Sequence, residues 1–210
     1  MKSIRIISRL FTGIVFIFRG FVKGIDPWGF TYKLQDYFEA FHLGFLDHFA
    51  MPLAIAACTL ELVIGLNLVT GIRMRLTAWM LLFFMAFFTF LTLILALYNP
   101  VSDCGCFGDA IKLTNWQTFL KNIILLIPTL IVFWQRNRHT GPYSCHTEWT
   151  LTTAYALTGV FLSVYCYHNL PLIDFLPYKT GTFIPEKMKV PEGMPADEYE
   201  TILVYEKDGV

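Results

Sequence analysis

Between Arg75 and Asp103 the chain carries no charged side chain. Leu76 to Tyr98 within that stretch is almost entirely Leu, Phe, Met, Ala, Ile and Thr. A helix needs roughly 20 apolar residues to cross the hydrocarbon of a bilayer, and this run is long enough. A soluble fold would have to wrap such a helix on every side. The rest of the chain cannot supply that wrapping, because 55% of its 210 residues are hydrophobic and 15% charged, against about 25% charged in soluble domains. The formal net charge is zero, so no basic field points to nucleic acid.

Four further segments read as spans: Ile4 to Val22, Met51 to Val69, Trp116 to Trp134 and Trp149 to Tyr167. The first carries Arg9 and Arg19, and the second is interrupted by Glu61. The first segment lacks a small-x-small cleavage site and has Arg19 where one would fall, so it reads as a retained helix rather than a secretion signal. Lys2, Arg5, Arg9, Arg73, Arg75, Arg136 and Arg138 fall on one face of this topology, against Lys23, Lys33 and Lys112 on the other. For a multi-pass protein of a bacterial inner membrane, the positive-inside rule then predicts a cytoplasmic amino terminus and a periplasmic carboxyl end.

Outside the spans, Asp26-Pro27-Trp28-Gly29 reads as a turn. Leu34, Tyr37, Phe38, Phe41 and Phe45 recur at helical steps, which predicts an amphipathic helix on the outer surface. Thr114 and Gln117 fit a capping box opening the fourth span, and Pro128 is expected to kink it. Cys145 falls in a polar cytoplasmic loop, where a free thiol is the expectation. Residues 169–210 begin as a Pro-rich linker. Tyr199 to Tyr205 then reads as a strand followed by a turn, and a lone strand is not stable. It is expected to continue into a further outer domain beyond Val210, or to pair with another chain.

Two features carry chemistry. Cys104 and Cys106, one glycine apart, lie in the polar loop between the third and fourth spans. Residues two apart can meet the Cα limit of a disulfide in a bent loop. The ring would be small and strained, and strained disulfides exchange easily. It would also restrain little of the unfolded chain. Redox exchange, a structural bond and a metal site all remain open. Cys166 is a candidate resolving thiol and His168 a candidate base. Together with Cys104 and Cys106 they are four potential zinc ligands at a spacing unusual for zinc. The second feature is Glu61. A carboxylate near the bilayer midplane costs several kcal/mol unless paired or protonated. Arg9 and Arg19 are its candidate partners, and Cys58, three residues earlier, shares its face. The two readings are an ion pair fixing bundle register, or a proton relay coupled to thiol chemistry. A quinone is the candidate electron acceptor, although the aromatic third span by itself gives it no specific support.

The run Asp103-Cys104-Gly105-Cys106-Phe107-Gly108 followed by Leu113-Thr114-Asn115-Trp116 resembles the DoxX/MauE group of small membrane proteins. Leu60-Glu61-Leu62-Val63-Ile64-Gly65 and Gly24-Ile25-Asp26-Pro27 are similar to it as well. The resemblance covers residues 1–135. It implies a four-helix membrane core, with disulfide formation or electron transfer to thioredoxin-like partners for MauE-type members, and thiosulfate–quinone oxidoreduction for DoxD-type relatives. The expectation is therefore an all-α membrane protein: a DoxX-like four-helix bundle in 1–135, a cytoplasmic loop and fifth transmembrane helix in 136–168, and an extended periplasmic tail in 169–210. Its expected role is a thiol–disulfide relay in which Cys104 and Cys106 exchange with a periplasmic thioredoxin-like partner. The alternative is a non-catalytic anchor or assembly protein whose loop disulfide is structural. A transporter using Glu61 has little support, since there is one intramembrane acid and no pair of broken helices.

Overall fold

The computed structural model describes residues 2–101, 105, 108, 113–138, 143–173, 175 and 183. The described residues form six α-helices: α1 (Lys2–Ile25), α2 (Pro27–Ala40), α3 (Ala50–Thr70), α4 (Met74–Tyr98), α5 (Asn115–Trp134) and α6 (Cys145–His168). Short 3-10 turns occupy Gly44–Phe49 and Arg136–Arg138. All of these belong to one compact unit, Met1–Leu176. The expected strand at 199–205 and nearly all of the Pro-rich linker lie outside the described residues.

Among the described residues, three helical stretches are long and apolar enough to cross a membrane: Gly44–Thr70, Met74–Tyr98 and Asn115–Trp134. The five-span expectation is thus met for three segments on length and composition. The first and last expected spans, α1 and α6, are each 24 residues long. They are more polar: α1 carries Arg5, Arg9, Arg19 and Lys23, and α6 opens on Cys145-His146-Thr147-Glu148.

The distribution of that polarity is the reverse of a water-soluble bundle's. On α1, Ile7, Phe11, Ile14 and Phe18 face outward, while Ser8, Thr12, Arg19 and Lys23 are buried. On α5, Leu120, Ile124 and Ile127 are exposed, and Thr118, Asn122 and Thr129 are buried. On α6, Leu157, Phe161 and Val164 are exposed, whereas Gly159, Ser163 and Cys166 are the buried residues. Water would select the opposite arrangement. Hydrocarbon selects this one, because polar groups inside a bilayer find partners only within the protein. The chain is a multi-pass membrane protein.

Helix α1 packs most extensively on α3, and α4 pairs with α5. Small residues let the first pair approach closely. A Cβ at Gly20 would lie 2.6 Å from the Leu62 backbone nitrogen, and one at Gly65 would lie 2.6 Å from the Ile17 nitrogen. Phe16, Ile64, Leu68, Leu81, Met85, Leu125 and Val132 form the apolar core that joins α1, α3, α4 and α5. Asn122 bridges α5 to α4, its side-chain nitrogen donating to the Phe88 carbonyl (3.3 Å) and to Thr92 Oγ1 (3.1 Å).

Two local expectations change. Asp26-Pro27-Trp28-Gly29 is a helix start rather than a free turn. Asp26 is the N-cap of α2, accepting from the Gly29 amide at 2.9 Å, and Pro27 takes the first helical position, which has no need of an amide donor. Cys145 is free and exposed, as expected, but it begins α6 instead of lying in a loop. Ser144 caps that helix by accepting from the Thr147 amide. The capping box on α5 is present with both bonds: Thr114 Oγ1 accepts from the Gln117 amide at 3.3 Å, and Gln117 Oε1 accepts from the Thr114 amide at 3.0 Å. Helix α5 continues through Pro128 as one element.

Candidate functional site

Helix α3 places Glu61 near its middle, and the close α1–α3 contact at Gly20 sets Arg19 and Lys23 beside it. Arg19 Nη2 donates to Glu61 Oε1 at 3.0 Å, and Lys23 Nζ donates to the same oxygen at 2.9 Å. All three side chains are at most 1% exposed. The cations also rest on aromatic faces. Arg19 lies 5.3 Å from the Phe16 ring centroid and 5.8 Å from that of Phe84. Lys23 Nζ lies 4.6 Å from the Phe30 centroid and 5.8 Å from that of Phe88. Such contacts stabilise a desolvated cation by about 2 kcal/mol. The second carboxylate oxygen, Oε2, is buried without a hydrogen-bond partner.

Of the two arginines expected to partner Glu61, Arg19 does so. Arg9 instead lies nearly three turns further towards the amino terminus, against the end of α3, where a Cβ on Gly71 would come within 2.7 Å of its guanidinium. Lys23 was missed because the first span was ended at Val22. The signal was present, since Lys23 follows Arg19 by one helical turn and shares its face.

Lys23 also forms part of the wall of a cavity of about 300 Å³ between α2 and α4. It is the one charged residue in a lining otherwise made largely of aromatic side chains, among them Phe30, Tyr37, Phe41, Phe88 and Phe90. Its further ammonium hydrogens, beyond the one given to Glu61, have no hydrogen-bond partner among the described residues.

Cys104 and Cys106 lie outside the described residues, as does Lys112. Their loop is nevertheless anchored at defined points. Asn115, buried at the start of α5, donates through Nδ2 to Asn99 Oδ1 and to the Val101 carbonyl, both at 2.7 Å. This clasp joins the two ends of the loop. Gly105 and Gly108 both have left-handed φ, +59° and +54°, and the Gly108 amide donates to the Gly105 carbonyl at 3.0 Å. A Cβ on Gly105 would be 3.0 Å from Lys33 Cγ, and one on Gly108 would be 3.1 Å from Val22 Cγ1. The glycine between the two cysteines therefore packs on α2, and Gly108 packs on α1 next to Lys23.

Two further thiols, Cys58 and Cys166, are buried. Cys58 Sγ is 3.3 Å from Ser163 Oγ, across the α3–α6 contact. Cys166 is free and buried, one turn beyond Ser163 on α6. His168 is exposed and set edge-on to Tyr167, whose ring stacks on Trp28 of α2 at 5.2 Å.

Residues 1–135 match the family model described as methylamine utilisation protein MauE. No curated protein and no solved structure matches the chain. The matched region contains α1 to α5, the Arg19–Lys23–Glu61 cluster and the cysteine loop, which is well over half of the sequence, and the chain belongs to the MauE family.

Proposed function

We propose that this protein is an inner-membrane component of a thiol–disulfide relay, in which Cys104 and Cys106 exchange with a thioredoxin-like partner on the periplasmic side. The topology proposed for it is four spans in residues 1–135 and a fifth in α6, with the cysteine loop outside. The inverted polarity of α1 and α6 supports their inclusion as spans. The observation that carries the functional reading is the anchoring of the loop: Asn115 clasps its base, and Gly105 packs against Lys33. A slack connection between two membrane helices needs neither. A redox loop needs its two thiols presented at a fixed place.

The chemistry balances as ordinary exchange. One loop thiolate attacks the partner's disulfide and forms a mixed disulfide, releasing one partner thiolate. The second loop thiolate then attacks the loop sulfur, releasing the partner's other thiol and leaving Cys104 and Cys106 joined. The reverse sequence oxidises the partner. Cys166 is not included, because its thiol is buried in α6.

A lipid-soluble quinone would supply a two-electron, two-proton acceptor for the loop pair. The cavity beside Lys23 suits the head group: its lining is largely aromatic, and its size is at the small end for ligand pockets, about 300–1,000 Å³. Lys23 would hold a ring carbonyl through an N–H not used by Glu61. Glu61 would orient Lys23 through the hydrogen bond they share, and the two protons released by the loop thiols would balance the two taken up by the quinone.

The test is trapping. Cys106→Ser in intact membranes should accumulate a reductant-sensitive adduct with a periplasmic protein; absence of any adduct from both single cysteine variants removes the relay. If the double serine variant keeps full function, the non-catalytic anchor or assembly role with a structural loop bond takes its place.

A further inference from the structure

A second cavity, of about 520 Å³, lies at the opposite end of the bundle from the cysteine loop, where α4 begins and α5 ends. Arg73, Arg75 and Arg136 line it, with Glu148 the one acid among its lining residues. None of the three arginines is paired with a carboxylate among the described residues. Each is instead held by other contacts. The Arg73 guanidinium lies 3.5 Å from the Trp149 ring centroid. Arg136 lies 4.1 Å from that of Phe133 and donates through Nη1 to the Phe133 carbonyl. Arg75 Nε donates to Asn137 Oδ1 at 3.1 Å.

These contacts use ring faces or single N–H groups and leave most of the guanidinium edges available. Arg73 Nη1 is itself buried without a hydrogen-bond partner. Arg73 also adopts a left-handed backbone (φ 47°) at the N-cap of α4, and its side chain does not cap the helix. That conformation is costly for a residue with a Cβ. Three planar donor forks around one space, with a formal excess of two positive charges after Glu148, match a tetrahedral oxyanion. The open helix start adds positive potential.

We propose that this cavity binds the phosphate of an anionic phospholipid head group. Two observations favour a lipid over free phosphate. The cavity sits at the end of the α4 and α5 spans, the end of a span being where head groups meet a membrane helix, and its wall includes Leu76 and Trp79, both exposed, which suit the glycerol and first acyl carbons. The site is separate from the cysteine loop and from the cavity beside Lys23, and it stands whether or not the loop thiols turn over.

The experiment uses the full chain, delipidated in detergent and titrated with phosphatidylglycerol, phosphatidylcholine or inorganic phosphate, with bound lipid read by native mass spectrometry. Phosphatidylglycerol should bind the wild type at least tenfold more tightly than phosphatidylcholine. Arg136→Gln and Arg75→Gln should each reduce that affinity about tenfold, the equivalent of one charge-assisted hydrogen bond. Arg75 is exposed and outside the core, so its variant should fold even if the other does not. Arg5→Gln, at the same end but outside the cavity, should leave binding unchanged. Equal loss in Arg5→Gln, or no loss in the two cavity variants, overturns the site. Full displacement of the lipid by an equimolar amount of inorganic phosphate overturns the lipid assignment in favour of a soluble phosphate ligand.

Discussion

Replacing Glu61 by Gln removes the one carboxylate shared by two buried cations. Arg19 and Lys23 are both held within 3.0 Å of Glu61 Oε1, and the three side chains are essentially inaccessible. Their attraction in a low-dielectric interior offsets a desolvation penalty of several kcal/mol per ion. Without the carboxylate that penalty remains and the cations repel each other. Breaking a buried pair from one side costs about 3–5 kcal/mol. At about 2–4 °C per kcal/mol for a chain of this size, the melting temperature should fall by about 6–20 °C. Cys58 and Cys166 are buried and free, so they report unfolding to a fluorogenic thiol dye once exposed thiols such as Cys145 have been blocked. The triple replacement Arg19→Met, Lys23→Met and Glu61→Met removes every charge together and should recover most of the loss, since apolar substitutes for a whole buried ion cluster are often neutral or stabilising. The reasoning is refuted if Glu61→Gln melts no lower than the exposed control Glu39→Gln, or if the triple variant melts below Glu61→Gln.

Three further outcomes are expected. Gly20→Ala puts a methyl against the Leu62 and Cys58 backbones, 2.6 and 2.8 Å away; backbone atoms cannot step aside, so overpacking should cost about 1–3 kcal/mol in the same thermal assay. Asn115→Leu opens the clasp at the base of the cysteine loop, which should lower stability by about 1–3 kcal/mol and speed alkylation of Cys104 and Cys106, measured by mass spectrometry; unchanged alkylation would mean the clasp does not hold the loop. Gly105→Ala imposes a left-handed backbone on a residue with a Cβ, at a cost of about 1–2 kcal/mol, and crowds Lys33. The fraction of loop disulfide in membranes should shift from its wild-type value while the melting temperature of the bundle stays close to wild type.

How much of this was legible in the chain follows from the range of each interaction. The uncharged run after Arg75 and the apolar segments around it determined the membrane class, because transfer into hydrocarbon depends on composition over about 20 residues. The capping box at Thr114 and Gln117 was equally local, and so was readable. Helix ends within polar stretches were not. The turn expected at Asp26 is an N-cap, and Lys23 belongs to α1 rather than to a loop, since only packing against α3 decides how far that helix continues. That Glu61 needed a partner could be argued from burial cost alone. Which partner it has could not, because Arg9 and Arg19 differ by their register against α3, and that register is set by backbone contact at Gly20 and Gly65. The cysteine loop was visible as two thiols and a glycine. Its anchoring, through Asn115 to Asn99 and Val101 and through Gly105 to Lys33, joins residues far apart in sequence, and only tertiary structure brings them together.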